Sequence, residues 1–522
     1  MTANVAIDNS FNIPRLPRWI GYIAACVGMF MAILDIQVVV TSLKVIEESL
    51  AIGADRMSWV QTAYIIAEVI AIPLTGLLMR VFSMRWLFVG ALTTFTLASI
   101  GCAASSGFTD LLMWRVLQGF AGGVLIPLVF SGIFLLFPKG FEQTLATTVG
   151  GLLAVLAPAL GPITGGWLTE NFTWHWLFLI NIGPGVVSVI AGALCLPRSP
   201  LRLGLFANLD WASLVAFGLS LALLIVGLKE APQNGWISVV VLACFVTSAV
   251  LLAFAVSRPQ PAISFELLHD RGLAFGCMLS FILGFVLFSA VYVLPVFLAF
   301  VRFHGPLAIG MITLVMGATQ IVFAPLIVQI DRFFDARWLS MIGFVAFGVG
   351  LAMNAGLTVN ADYDEVFWSQ VVRGAAVALC ILPPIRLALS LFPMDRVNDA
   401  SGLFNLVRNI GGVIGIAVCD TIIFGRSPLH GERILETIKT DPEAGARILG
   451  MSPEDLPAPD DPSELMSILD VVQGASLTLA INECFWMLAA VSFLAVPLLL
   501  LVGPIRSAMP VRRPAKGEQN IP

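Results

Sequence analysis

The sequence predicts an all-α integral membrane protein of fourteen transmembrane helices, arranged as two six-helix halves with two further helices inserted between them. Three observations carry this. Apolar runs of spanning length recur along the whole chain. Hydrophobic residues make up 58% of it and charged residues 12%, against about 25% charged in ordinary soluble domains. Short stretches of the first half return in the second at a nearly constant offset. With a mean hydropathy of +0.94, the main solvent of this chain is bilayer.

A hydrocarbon core of roughly 30 Å takes about 20 apolar residues per helix. Segments that meet this requirement are expected at 18–42, 56–79, 86–106, 109–137, 144–169 and 173–196, then at 206–228 and 235–257. Six more follow at 274–301, 306–330, 337–357, 364–393, 398–425 and 480–504. Basic residues punctuate them in order: Arg15 and Arg18 precede the first, Arg80 and Arg85 separate the second from the third, and Lys139 precedes the fifth. Arg198 and Arg202 follow the sixth, Arg258 and Arg271 bracket the step into the second half, and Arg332, Arg337 and Arg396 mark later turns. With the tail's Arg506, Arg512, Arg513 and Lys516, they place sixteen basic residues on one side against eight on the other. The positive-inside rule then puts both termini in the cytoplasm. The first 18 residues contain Asp8, Pro14 and Pro17, unlike a cleaved signal peptide, so the first apolar run is expected to remain as a helix.

The expected domains are a half at 1–196, the inserted pair at 206–257, a half at 273–504 and a cytoplasmic tail at 505–522. The second half carries an outer loop at 426–479, with ten acidic against four basic residues. Its prolines, among them Pro453, Pro457, Pro459 and Pro462, predict partial disorder, with a short amphipathic helix over Ser463–Gly474. This loop dominates the net charge of −5, and no basic stripe remains for nucleic acid. All eight cysteines lie in apolar segments, and the four histidines have no ligand spacing, so neither a disulfide framework nor a metal site is expected. No cofactor is expected, and no nucleophile, base and oxyanion arrangement marks an enzyme.

The repeat is read from three matches. Arg80-Val-Phe-Ser-Met-Arg85-Trp86-Leu87 returns as Arg332-Phe-Phe-Asp-Ala-Arg337-Trp338-Leu339 at an offset of 252. Gly119 followed by Pro127 returns as Gly374 followed by Pro383, offset 255 for the glycine, and Gly151 with Gly161 as Gly402 with Gly412, offset 251. Parallel six-helix repeats, with a substrate site near the midplane between them, are the arrangement of the major facilitator fold.

Ionisable residues inside hydrocarbon are costly and mark functional or paired positions. Here they are Asp35, Glu68, Arg115, Arg373, Arg386, Arg408, Asp420 and Glu483. Asp35 has only Gln37 as polar company in its run. In apolar surroundings a carboxyl is drawn to its neutral form by desolvation and to its charged form by a nearby cation, which suits it to take and release a proton. A structural pair with a neighbouring helix is the other reading. Glu68, among Ala67, Val69 and Ile70, reads equally well either way. Arg115, in Trp114-Arg115-Val-Leu-Gln118-Gly119-Phe-Ala-Gly122-Gly123, is either the cation that controls a carboxylate or an interhelical clamp. Pro158, Gly161, Pro162, Gly165 and Gly166 within one apolar run predict a bent helix packed closely on a partner.

Taken together these residues resemble the fourteen-helix drug:proton antiporters of the major facilitator superfamily, the EmrB/QacA type. Arg115 with Gln118, Gly119 and Gly123 looks like motif B, Gly161-Pro162-x-x-Gly165-Gly166 like the antiporter motif C, and Leu34-Asp35 with Val38 and Val39 like the helix 1 motif. Trp174, Trp176, Phe178, Asn181 and Pro184 look like the start of this group's helix 6. Phe367-Trp368-x-Gln370-x-x-Arg373-Gly374, Arg408-Asn409-x-Gly411-Gly412 and Asn482-Glu483-x-Phe485 look like EmrB in particular. The chain departs from the pattern at Arg80 and Ser83, where an acidic residue and a glycine are usual, and at Val40 and Lys44, where Asn and Pro are frequent.

The resemblance implies a multi-pass protein of the bacterial inner membrane that exports lipophilic or amphiphilic small molecules in exchange for protons. Asp35, Glu68 and Arg115 would couple the proton. Gln37, Gln118, Gly119, Pro158, Gly161, Pro162, Gly165, Gly166, Arg373, Arg408 and Asn409 would serve substrate and gating. A periplasmic adaptor and an outer-membrane channel are implied as partners, with 426–479 either an adaptor contact or a solvated loop. Two other functions remain open: export of one endogenous metabolite, siderophore or fatty acid, and a sensor or assembly role without transport. No Walker A pattern is present, so ATP is not expected to drive the cycle.

Overall fold

The computed structural model describes residues 14–57, 59–138, 141–198, 200–202, 204, 210–258, 265–330, 333–389, 397–452 and 468–501. The expected tail at 505–522 lies outside them, as do Lys139, Arg332 and Arg396 and the stretch 453–467. Among the described residues the fold is all helical. Its helices are α1 Arg15–Val40, α2 Leu43–Leu50, α3 Ala54–Met57, α4 Trp59–Ala104, α5 Phe108–Leu136, α6 Phe141–Asn171, α7 Trp176–Leu179 and α8 Ile182–Cys195. The inserted pair is α9 Trp211–Asn234 and α10 Val239–Ser257. Then come α11 Arg271–Phe300, α12 Pro306–Ile330, α13 Ala336–Met353, α14 Tyr363–Leu389, α15 Val397–Thr440, α16 Pro442–Leu449, α17 Leu469–Phe493 and α18 Ala495–Leu501.

Twelve of the described helices are long and apolar enough to cross a bilayer, and a bent pair within α6 makes a thirteenth. The expected segments 56–79 and 86–106 both fall largely within α4, whose 46 residues form two helical legs with a break between them, and the first leg contains the shorter apolar helix Trp59–Ile72. The break is at Ser83, with φ 64° and ψ 162°. The packing of α5 shows what the break does. Gly119 and Gly123 lie on Tyr64 and Glu68 in parallel register, whereas Trp114 lies on Gly101 and Gly132 on Met84 in antiparallel register. The two legs of α4 therefore run in opposite directions.

The α6 helix is bent by 47° between Val149–Pro158 and Leu160–Asn171, as two prolines without an N–H donor require. The expected sixth helix, 173–196, is the span Trp176–Cys195, in which α7 and α8 follow one another through Ile180 and Asn181 in right-handed helical conformation. The larger correction concerns 426–479. Helix α15 continues to Thr440, α16 follows behind an Asp441 cap whose Oδ1 accepts from Ala444 N at 3.0 Å, and α17 begins at Leu469, not near 480. The cause is apolar spacing within the polar stretch. Ile434, Ile438 and Leu449 bury against Ile468, Val472 and Ala475 in a small core of their own. Glu483 is thus well inside α17 and pairs with Arg426 of α15 at 2.6 Å.

One apolar core joins the halves through Leu34, Val38 and Val39 of α1 and Leu283, Val286, Val293 and Phe297 of α11. A second, with Tyr22, Met29, Phe88, Phe95, Leu125 and Val129, lies in the first half. Outward-facing apolar residues such as Val239, Val246, Val250 and Phe254 of α10 are the lipid-facing counterpart. The internal repeat reappears as packing: Gly119 abuts the backbone of Tyr64, and Gly374 abuts that of Met316, 252 residues further on.

Ser83 stands at a backbone conformation that is almost exclusively glycine's, and its buried Oγ has no hydrogen-bond partner among the described residues. Such a residue costs on the order of 1–3 kcal/mol. Ser83→Gly is expected to raise the unfolding temperature of the purified protein; an unchanged or lowered value would contradict the strain.

Candidate functional site

Asp35 and Arg115 are both fully buried and form an ion pair between Asp35 Oδ2 and Arg115 Nη1. The pair links α1 to α5 inside the first half. Gln118, one turn beyond Arg115, donates from Nε2 to Asp35 Oδ1 at 2.9 Å and to Ser99 Oγ at 2.9 Å. Its own Oε1 accepts from Arg115 Nη1 at 2.9 Å. Asn181, at the start of α8, donates from Nδ2 to the same Asp35 oxygen at 2.9 Å. Arg115 Nε donates to Val60 O at 3.0 Å, and the guanidinium lies 4.5 Å from the Tyr64 ring centre. Tyr64 is fixed in turn by its hydroxyl, which donates to Ala32 O at 3.0 Å. Residues of α1, α4, α5 and the start of α8 therefore meet in one hydrogen-bonded cluster around a single carboxylate.

The geometry joins Asp35, Arg115 and Gln118, which the sequence singled out. It adds Ser99, Tyr64 and Asn181. Asn181 belonged to a recognisable stretch, but nothing local in the sequence tied it to a residue 146 positions earlier. Gly119 brings α5 so close to α4 that a methyl group there would stand 2.8 Å from Tyr64 Cα. Glu68, one turn after Tyr64, is 5% exposed and interacts electrostatically with Arg408 of α15 and with Arg115. It makes no direct ion pair among the described residues.

The run from Pro158 to Gly166 presents two faces. Gly161 lies on Gln37, and Gly165 on Val38 and Thr41, both within the first half. Pro162 and Gly166 face α12: a methyl at Gly310 would meet Pro162 and Ile163, and one at Gly166 would stand 2.8 Å from Leu307 Cα. The bend beginning at Pro158 thus sets α6 between α1 and the other half. At this end of the bundle Lys44 also reaches across. Its Nζ donates to Ala299 O at 3.0 Å and lies 5.3 Å and 4.8 Å from the Phe300 and Phe303 ring centres.

Arg373, Arg408 and Asn409 are not brought to Asp35. Arg373 is 1% exposed, and its Nη2 donates to Gln370 Oε1 at 2.6 Å. The repeat explains this pair, since Gln370 and Arg373 stand where Arg115 and Gln118 do, with the two side chains exchanged. No carboxylate pairs with Arg373 among the described residues. Arg408 and the buried Asn409 lie on α15, with the Arg408 backbone against Gly284 of α11. No cluster suited to a metal ion occurs among the described residues.

Removing one member of a buried ion pair costs about 3–5 kcal/mol because the other is left uncompensated. Arg115→Ala is therefore expected to lower the unfolding temperature sharply. Asp35→Asn, which keeps an acceptor for Gln118 and Asn181, should be milder, and thermal unfolding of both variants checks the order. Gly166→Ala should weaken the seam between α6 and α12, read as faster proteolysis of the folded protein.

Comparison with known proteins agrees with this architecture. The Major Facilitator Superfamily profile matches residues 25–416. The chain is 34% identical to the colistin resistance protein EmrB of Acinetobacter baumannii over 83% of this chain and 86% of that one. It is 26% identical to the multidrug export protein EmrB of Escherichia coli over 92% and 94%, and 27% identical to the fatty acid resistance protein FarB of Neisseria gonorrhoeae over 79% and 82%. Among solved structures the nucleoside transporter NupG shares the fold, with a TM-score of 0.59 at 13% identity over 93% of this chain and 99% of that one. Helical architecture, profile and relatives lead to one placement: the chain belongs to the Major Facilitator Superfamily, in its EmrB-type group of drug:proton antiporters.

Proposed function

We propose that the chain is a proton-coupled exporter of lipophilic or amphiphilic small molecules that works by alternating access in the bacterial inner membrane, with both termini in the cytoplasm. The observation that carries this reading is the sealed Asp35 cluster. A carboxylate held by one guanidinium and two amide donors has two stable arrangements. Ionised, it locks α1, α5 and the start of α8 together; protonated, it loses the ion pair and releases Arg115. Glu68, buried where α4 packs on Gly123 of α5, passes the change toward the second half. With the N-terminus inside, the end closed by Lys44, Gly166 and Pro306 is the outer mouth, so the structure corresponds to the outward-closed state.

One proton moving down about 100 mV supplies roughly 2.3 kcal/mol, and about half a pH unit adds roughly 0.7 kcal/mol. Together they sustain about a hundredfold gradient of a neutral substrate. We assign the helical outgrowth formed by the end of α15 and by α16 to contact with a periplasmic adaptor, which with an outer-membrane channel would carry substrate out of the envelope. Similarity to FarB favours a second reading, a dedicated fatty acid exporter.

The test is retention of a panel of lipophilic dyes and drugs in efflux-deficient cells expressing the chain or Asp35→Asn, with and without a protonophore. Lowered retention that disappears with either perturbation is expected. Unchanged retention of every compound by membrane-resident protein would reject broad export. Competition by fatty acids alone would select the second reading.

A further inference from the structure

Lys229 and Asp420 form a second charge pair at membrane depth. The α9 helix runs past its expected end at 228 to Asn234, which carries Lys229 into the bundle. There Lys229 Nζ donates to Asp420 Oδ2 of α15, and the two side chains are 3% and 2% exposed. Neither residue belongs to the Asp35 cluster.

The surroundings of α9 show what the pair connects. To α10, α9 is tied by reciprocal serines: Ser220 Oγ donates to Ser248 O at 3.0 Å, and Ser248 Oγ to Ser220 O at 2.8 Å. Ser213 Oγ donates to Ala255 O at 3.0 Å. On its other side α9 enters an apolar cluster in which Phe217, Leu221 and Ile225 lie with Ile65, Ile66 and Val69 of α4 and with Leu403, Phe404 and Val413 of α15. The helix thus covers the seam where α4 of the first half meets α15 of the second. Apolar ridges can shift by a small translation and repack. A buried ion pair cannot, because any shift leaves two uncompensated charges in apolar surroundings.

We propose that the Lys229–Asp420 pair fastens the inserted hairpin α9–α10 to the second half, so that the hairpin moves with that half and slides over α4 when access alternates. Lys229 and Asp420 are positioning residues: they act through the placement of α9, not through contact with substrate. The consequence for the cycle rests on the alternating-access reading, whereas the fastening itself is a matter of geometry.

The experiment measures spin-label distances in nanodiscs, in protein whose eight native cysteines are replaced. Labels at Trp236→Cys after α9, Leu429→Cys on α15 and Ala51→Cys after α2 occupy exposed positions. In one fixed condition the 236-to-429 distribution is expected to be narrow, to broaden in Lys229→Met, and to narrow again in Lys229→Arg and in the exchanged pair Lys229→Asp with Asp420→Lys. These readings do not require transport, so they decide the fastening even if the export reading fails. A 236-to-429 distribution unchanged by Lys229→Met would overturn the proposal. Between alkaline and acidic conditions, the 236-to-51 distance is expected to shift while 236-to-429 stays fixed. The reverse pattern would attach the hairpin to the first half and also overturn it.

Discussion

The fold depends on one constraint: charge placed at membrane depth must be compensated by the protein itself, since no water is there to do it. The Asp35–Arg115 pair is where this acts most strongly. Neither partner could be buried alone, and each fixes several neighbours. Arg115 reaches a carbonyl of α4, Gln118 joins Asp35 to Ser99, and Asn181 brings in the start of α8. The close approach of α5 to α4 at Gly119 and Gly123 follows from the same need. A bulkier residue there would hold Arg115 away from its ligands.

The two halves share a backbone arrangement and differ in charge. The second half keeps a buried Gln–Arg pair one turn apart, but Arg373 has no carboxylate opposite it among the described residues. Duplicated packing has therefore been preserved, as the glycines on Tyr64 and Met316 show, while a carboxylate is paired with the buried arginine only in the first.

Between the halves the contacts are of another sort. The α6 helix offers one glycine face to α1 and another to α12, so its bend is read by both halves at once. Lys44 adds a single charged crossing to the end of α11, where the carbonyls that no further turn can satisfy favour a cation. This crossing sits at a position where the chain departs from the family pattern. The inserted hairpin adds a third connection, apolar toward both α4 and α15, with an ion pair to α15 in addition. Firm attachment within a half, and separable contacts between halves, is what a rocking bundle needs.

The sequence by itself determined the helices, their approximate ends and the repeat, because spanning length, apolar composition and recurring Arg-Trp and glycine positions are local or periodic signals. It also identified Asp35, Arg115 and Gln118, since a charge in an apolar run stands out without any structure. It misread 426–440 as loop, because a polar amphipathic helix lacks the continuous apolar run that marks a span; only Ile468 and Val472, far along the chain, cover Ile434 and Ile438. It left Lys229 outside the membrane, because a lysine at the edge of an apolar segment reads as its boundary. Only the tertiary structure supplies Asp420 as the partner that carries it inside. The roles of Asn181, Ser99 and Tyr64 were likewise decided by tertiary contact. Uncharged polar residues are common in spanning helices, and what distinguishes these three is convergence on one carboxylate and its arginine from positions remote in sequence.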